Sequence, residues 1–394
     1  MYVTARSHGQ LLYNNNSLSK LDFKIEFCFL NTIALDICAI KRNHWMNAHT
    51  IGVFTFNTNG TLYGCKKNPH GVIRKFTQYL YNNDVVNVDF TMELKKRFEG
   101  VDVIVIGLQE SSIKNPKTFM RSDQLLQIFA QDIQDDYYLL FKNKQTGIGE
   151  KGIRGLRLGV YVKNTIPQSN TYCEYISYSP LNASELTSTE GQHYGKGSIG
   201  IKLTINNSSY TVINSHFPFH GDLPDQGKSI RNIVFRETMD FFSLNKFLDN
   251  PYIFAGDLNY RIEIPLLVSD DDTITKKEFD ICFSPERIKA TYCDCDTLKL
   301  LLNNNDFLPT NLKEGANNNG ISFMPTSKLF KYPGRGQSFE NYKIMKSGQK
   351  RIPSWTDRIL YNCLDCIEYD KIDFGNISMS DHAGVIGIFR SISH

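Results

Sequence analysis

The apolar run Pro251 to Ala255 ends in Gly-Asp-Leu-Asn, so a carboxylate, Asp257, and a carboxamide, Asn259, stand two residues apart. On an extended chain that spacing puts both side chains on one face, although Asp, Asn and Gly also build ordinary turns. The same oddity recurs along the chain. VFTFNTNG leaves Asn57 and Asn59 behind an apolar stretch, VIVIGLQE ends in Gln109 and Glu110, and TVINSHFPFH ends in Asn214, His216 and His220. RIPSWTDRIL places Asp357 in a Trp-containing block, and SMSDHAGVIGIF sets Asp381 and His382 just before a last apolar run. One polar strand end is a cap or a turn. Several, on loops able to meet at one rim, are the pattern of a site carried on a rigid sheet.

The chemistry these residues can do is narrow. The chain has no GxSxG elbow, no cysteine nucleophile signature and no GxxxxGK[ST] loop, so acyl-enzyme, cysteinyl-phosphate and nucleoside triphosphate readings lack support. What remains is hard oxygen donors from Asn, Asp and Glu beside histidines. Those suit Mg²⁺, which takes few protein ligands, keeps waters and bridges to phosphate. The matching reaction is metal-assisted attack of water on a phosphate ester.

Strand-length runs must position these groups: IGVFTF at 51–56, VDVIVIGL at 101–108, LRLGVYV at 156–162, SIGIKLTI at 198–205, YTVINSHF at 210–217, YIFAG at 252–256 and GVIGIF at 384–389. Helical patterns fall at 117–133, at 229–248 with apolar Ile233, Val234, Phe241, Phe242, Leu244 and Phe247, and at 296–302. Strands mixed with helices imply an α/β or α+β architecture around a sizeable sheet core. With 394 residues, 41% hydrophobic and 22% charged, and no linker after residue 48, one large domain is expected. A net charge of +3 argues against bulk attraction to nucleic acid, so no nucleic-acid partner is expected and an anion would sit in a defined pocket. Nine scattered cysteines point to a reducing compartment, and the CDC and CLDC pairs (Cys293 and Cys295, Cys363 and Cys366) lack zinc-knuckle spacing. The N-terminal stretch lacks a signal core, and Phe27 to Ile40 is too short and polar to span a bilayer.

Taken together, the motifs resemble the inositol polyphosphate 5-phosphatases, a branch of the Mg²⁺-dependent endonuclease/exonuclease/phosphatase superfamily. GDLNYRI is like that family's GDxNYR, PSWTDRIL is like its P-A-W-C-D-R-I-L, and the resemblance runs from about Ile51 to Phe389. It implies two packed, mostly antiparallel β-sheets flanked by helices, a four-layer α/β/β/α sandwich. The implied catalytic domain is 48–392, with residues 1–47 an N-terminal extension of unknown role.

The resemblance also implies roles. Asn57 and Glu110 match Mg²⁺ ligands, with Asp381 near the metal. Asp257 matches the residue that orients or deprotonates the attacking water, and Asn259 a donor to the scissile phosphate. His382 matches a phosphate contact oriented by Asp357, and His216 a second phosphate-contacting histidine. Lys196, Arg261, Lys328, Lys350 and Arg351 are the implied substrate contacts, Arg261 alternatively supporting the site from behind. FMPTSKLF keeps Lys328 but has Ser327 and Leu329 where the family has tyrosines, GKGS keeps Lys196 without the family's asparagine, and SDHAG stands for S-D-H-R-P. The implied activity is Mg²⁺-dependent removal of the 5-phosphate from phosphoinositides or soluble inositol polyphosphates, in the cytoplasm or at the cytosolic face of membranes. The alternatives are a related phosphodiesterase or nuclease, and a catalytically weak head-group-binding module.

Overall fold

The computed structural model describes residues 49–58, 78–81, 84–87, 90–110, 123–142, 155–179, 196–219, 224–264, 273–304, 311–327, 329, 342, 350–372 and 380–391. Two six-stranded sheets dominate them. The first runs in the order Leu364–Ile372, Gly384–Ser391, Thr50–Asn57, Val103–Gln109, Arg157–Lys163, Tyr137–Lys142. The second runs Lys313–Glu314, Asp357–Asn362, Tyr252–Asp257, Ser208–His216, Gly197–Ile205, Thr171–Tyr178. Neighbours are antiparallel except for one parallel pair in each sheet: Thr50–Asn57 beside Val103–Gln109, and Ser208–His216 beside Tyr252–Asp257. A parallel pair delivers two C-terminal strand ends to the same edge, and here both pairs end in polar residues.

The two-residue period of these strands sorts their side chains into layers. Ile51 and Val53, Val103 and Val105, Tyr210 and Val212, and Ile253 and Ala255 share the core between the sheets. The alternate residues face outward. Phe54, Phe56, Ile104 and Ile106 pack on the helix Asp123–Asp132 through Leu126 and Phe129. Ile213 and Phe254 pack on the helix Pro224–Leu244 through Val234, Phe235 and Phe242. This is the expected four-layer sandwich.

Two helices depart from their expected bounds. The pattern at 117–133 is helical over Asp123–Asp132, residues 111–122 lying outside the described ones, and that at 229–248 runs Pro224–Leu244. Leu244, counted on the apolar face, is 82% exposed, because the helix ends there and Lys246 adopts φ 63°. Ile233 is 43% exposed because it precedes the buried pair Val234 and Phe235 and so points off the side of the face they bury. The strands Tyr137–Lys142, Thr171–Tyr178, Asp357–Asn362 and Leu364–Ile372 were not among those expected. The first two are sheet edges with mixed burial, which blurs the alternation that marks a strand.

Candidate active site

Polar residues end the core-facing rows of both sheets. Asn57 continues the row of Ile51 and Val53, Gln109 that of Val103 and Val105, His216 that of Tyr210 and Val212, and Asp257 that of Ile253 and Ala255. Register brings them level. Asn57 pairs with Gln109, Asp257 with His216, and Asp257 on its other side with Asp357. Gly256 permits this closeness: at φ 143°, a Cβ there would lie 1.9 Å from the Ser215 carbonyl oxygen.

Beneath the rim a buried polar bridge joins the sheets. The Gln109 amide donates to Thr55 Oγ1 at 2.9 Å and to Asn214 Oδ1 at 2.6 Å, and Asn214 Nδ2 donates to the Arg157 carbonyl at 2.9 Å. Gly107 leaves the room, since a Cβ there would meet Asn214 Cγ at 2.8 Å.

Asp257 is the hub. Asn57 Nδ2 donates to its Oδ2 at 2.7 Å, and His216 Nε2 lies 3.5 Å from that oxygen and 3.6 Å from Glu110 Oε1. Lys196 Nζ contacts His216 Nε2. Burial opposes ionisation of Asp257, but the His216 hydrogen bond and the charges of His382, His216 and Lys196 hold its carboxyl well below the usual carboxylate range. Burial likewise opposes ionisation of Glu110, and His216 and Lys196 overcome it, leaving that carboxyl lowered. Burial and Lys196 hold His216 below the ordinary histidine value. Glu110 itself sits at φ 50°, which turns the chain out of its strand and leaves 41% of the side chain exposed at the rim.

The shared face expected for Asp257 and Asn259 from strand alternation does not hold. The strand stops at Asp257, and Asn259 lies in a turn at φ 55° whose amide donates back to Asp257 Oδ1 at 3.1 Å. That turn still carries Asn259 to the site. Its Nδ2 donates to the Phe217 carbonyl at 2.9 Å and its Oδ1 accepts from Arg261 at 3.0 Å, Arg261 being stacked 4.7 Å over Phe219. Arg261 thus fixes the Asn259 carboxamide. Tyr260 is buried, with its hydroxyl on Asn232 Oδ1 at 3.0 Å, which seats the segment on the helix Pro224–Leu244.

Across from Asp257, His382 Nδ1 lies 2.8 Å from Asp357 Oδ2, and His382 Nε2 is 3.8 Å from Asp381 Oδ1. Burial raises the Asp357 carboxyl although His382 pulls it down. Asp357, Asp381 and His382 are all buried. The structure therefore collects Asn57, Glu110, Lys196, His216, Asp257, Asn259, Asp357, Asp381 and His382. His220 and Lys328 lie outside the described residues. Lys350 and Arg351 pair in the backbone with Ile274 and Thr273, but their side chains lie outside the described ones. Sequence reasoning gave no role to Gln109, Asn214 or Thr326; polar residues on core-facing strand positions were the available signal for the first two, and Thr326 carried none.

As for a metal, Asp257, Asp357 and His382 offer ligand atoms all within 4.8 Å of one another, a different set from Asn57, Glu110 and Asp381. In that trio Asp357 Oδ2 already takes His382, Thr326 and Thr356, so it reads first as a hydrogen-bonded unit. Glu110 offers a rim carboxylate, and Asn57, its nitrogen turned to Asp257, brings a carboxamide to the same edge. Hard oxygens beside solvent fit a small cation that retains waters.

Residues 55–388 match the model of Endonuclease/Exonuclease/phosphatase family 2. A polyphosphatidylinositol phosphatase of Saccharomyces cerevisiae is 24% identical over 296 residues, 74% of this chain and 24% of the relative. The chain spans between about a quarter and about half the length of the first curated relatives it matches. Among solved structures, the inositol polyphosphate 5-phosphatase domain of spsynaptojanin, in complex with inositol (1,4)-bisphosphate and calcium ion, is 17% identical with TM-score 0.58, covering 88% of this chain and 84% of that one. A Cimex nitrophorin ferrous NO complex is 16% identical with TM-score 0.52, covering 87% and 98%. Likeness at this level shows the fold, and two such different proteins on it show why function must be argued from the site.

Proposed function

The chain belongs to Endonuclease/Exonuclease/phosphatase family 2, and from that premise we propose that it is a phosphoric monoester hydrolase releasing the 5-phosphate of phosphoinositides, such as phosphatidylinositol 4,5-bisphosphate and 3,4,5-trisphosphate, or of soluble inositol polyphosphates. The observation that carries the reading is the buried, ionised Asp257, held between Asn57 and His216 in register with Asp357, which faces the His382 imidazole.

Asp257 is an aimed acceptor. A carboxyl so far below its ordinary range is a weak base, but phosphoryl transfer through a loose transition state asks first for a well-oriented water and only late for its proton. Water oxygen bonds to phosphorus as the bond to the inositol oxygen breaks in line; of the water's two protons one stays on the released phosphate and the other ends on the departing inositol oxygen, giving the alcohol. His382, oriented by Asp357, faces the phosphoryl oxygens with Nε2, and the Asn259 amide hydrogen not used by Phe217 donates beside it. Lys196 adds positive charge next to Glu110 and Asp257, while His216, held below the ordinary histidine value, stands between them as a hydrogen-bonding imidazole. Asn57 and Glu110 would hold Mg²⁺, with Asp381 close by; when bound, the ion neutralises phosphate charge and makes coordinated water more acidic. Residues 1–47 are proposed as an extension outside the 48–392 catalytic domain. No helix among the described residues is long and apolar enough to cross a membrane, and a cytoplasmic enzyme peripheral to anionic membranes accords with the substrate class.

The test is phosphate release from a panel of 5-phosphorylated lipids and soluble inositol phosphates, with Mg²⁺ or EDTA, beside Asp257→Asn, Glu110→Gln and a plasmid-nicking control. Mg²⁺-dependent release abolished in Asp257→Asn is expected. Nicking without release would make the chain a nuclease, and tight head-group binding without turnover a binding module.

A further inference from the structure

The segment FMPTSKLF was read for its lysine, yet its neighbouring residues do something else. Thr326, Ser327 and Leu329 are stitched to two chain segments at once. The Ser327 amide donates to the Ser354 carbonyl at 3.2 Å and the Ser354 amide back to Ser327 at 2.9 Å. On the other side the Ala383 amide donates to the Thr326 carbonyl at 2.8 Å and the Leu329 amide to the Asp381 carbonyl at 2.7 Å. Ser327 accordingly bridges both Ser354 and His382. The segment is a backbone staple between the chain entering Asp357 and the chain carrying His382.

Hydroxyls from the staple and its neighbour then surround the Asp357 carboxylate. Thr326 Oγ1 accepts the Asp357 amide at 3.2 Å, which directs its own proton to Asp357 Oδ2 at 2.8 Å. Thr356 Oγ1 lies 2.9 Å from the same oxygen, 3.0 Å from Ser327 Oγ and 3.4 Å from His382 Nδ1. Oδ2 thus receives Thr326, Thr356 and His382, while buried Oδ1 has no hydrogen-bond partner among the described residues. Thr326, Ser327, Thr356 and Asp357 are all fully buried. A carboxylate held on one oxygen by the Thr326 hydroxyl, whose direction the Asp357 amide fixes, with Thr356 beside it, cannot rotate to offer Oδ1 to the histidine without breaking those bonds. The imidazole is aimed only as well as that oxygen is.

We propose that Thr326 is a positioning residue for the phosphatase reaction, acting through Asp357 on His382, with Thr356 as the second hydroxyl of the cradle. This rests on the reading of the site given above. A misaimed imidazole costs transition-state contact more than ground-state binding, so the signature is a split between kcat and KM. Thr326→Val keeps the shape and deletes the hydroxyl; Thr326→Ser keeps the hydroxyl and deletes the methyl. With a soluble inositol polyphosphate and Mg²⁺, kcat of Thr326→Val is expected to fall about 10–100-fold with KM within about twofold. Thr326→Ser should recover kcat to within about threefold of wild type. Thr356→Val, which leaves the staple intact, should show the same split at smaller size.

A kcat within about threefold of wild type in both valine variants would overturn the assignment, as would equal losses in Thr326→Val and Thr326→Ser. Should Thr326→Val not fold, by circular dichroism and urea midpoint, Thr356→Val and Thr326→Ser decide between the same outcomes. Absence of turnover in the wild type would refute the phosphatase reading itself; wild-type turnover indifferent to these hydroxyls would overturn the cradle alone.

Discussion

Arg358 stands next to Asp357 and is fully buried, and its removal is the sharpest perturbation this fold offers. Its guanidinium donates to Glu314 Oε1 at 2.6 Å and also to Glu314 Oε2, to Asp296 Oδ1 at 2.9 Å and Oδ2 at 3.1 Å, and to the Trp355 carbonyl at 3.2 Å. Glu314 also accepts Tyr292 at 2.6 Å and Tyr369 at 2.9 Å. Arg358→Met keeps much of the volume but strands two buried carboxylates. Breaking a buried pair costs about 3–5 kcal/mol, a large part of the roughly 5–15 kcal/mol that holds a domain folded. The loss should depend on pH with a definite sign. Burial raises the Asp296 carboxyl even beside Arg358, and without the arginine it is raised further. A carboxyl raised in the folded state is protonated there first, so it favours folding as pH falls. Urea unfolding should therefore show a deficit of about 3–5 kcal/mol at pH 7.5 that shrinks toward pH 5. Adding Asp296→Asn and Glu314→Gln to Arg358→Met should recover much of it. A deficit below about 1 kcal/mol at pH 7.5, the level of an exposed pair, would refute the reasoning.

Gly256→Ala should lose about 3 kcal/mol or fail to fold, as read by thermal melting, because the new methyl meets backbone at 1.9 Å and cannot turn aside. Asp357→Asn should lower kcat about 10²–10⁴-fold in steady-state assays with little change in melting temperature, since the carboxamide still fills the space but no longer sets the imidazole proton. His49 is buried with no partner for Nε2 among the described residues, and burial lowers its pKa despite Asp102. The unfolded chain then takes up the proton first, so its contribution is present above about pH 6.5 and lost as pH falls below it. His49→Gln should flatten that slope, at most about 1.4 kcal/mol per pH unit, in urea midpoints measured between pH 7.5 and 5.

Much of the architecture was legible because its causes are local. The alternation of Ile51, Val53, Val103, Val105, Ile253 and Ala255 is a property of extended backbone, and the polar residues that end those rows announce themselves by interrupting it. Edge strands escaped because solvent on one side removes the pressure to alternate. The Asp257 and Asn259 relation was misjudged because alternation says nothing of where a strand stops, and a left-handed residue at Asn259 turned the carboxamide by another route. Arg261 and Arg358 look alike in sequence, the first two residues beyond Asn259 and the second one residue beyond Asp357. Burial separates them: Arg261 holds Asn259 at the site, and Arg358 closes an internal ion network.

The residue types alone determined the class of chemistry, because hard oxygen donors and histidines at strand ends admit few reactions. Which donors serve one another was decided only by the folded chain. The parallel pairings level Asn57 with Gln109 and His216 with Asp257, the Asn57 amide then reaches Asp257 across 200 positions of chain, and the staple that sets His382 on Asp357 comes from a third segment. Hydrogen-bond direction depends on neighbours in space, and sequence lists only neighbours along the chain.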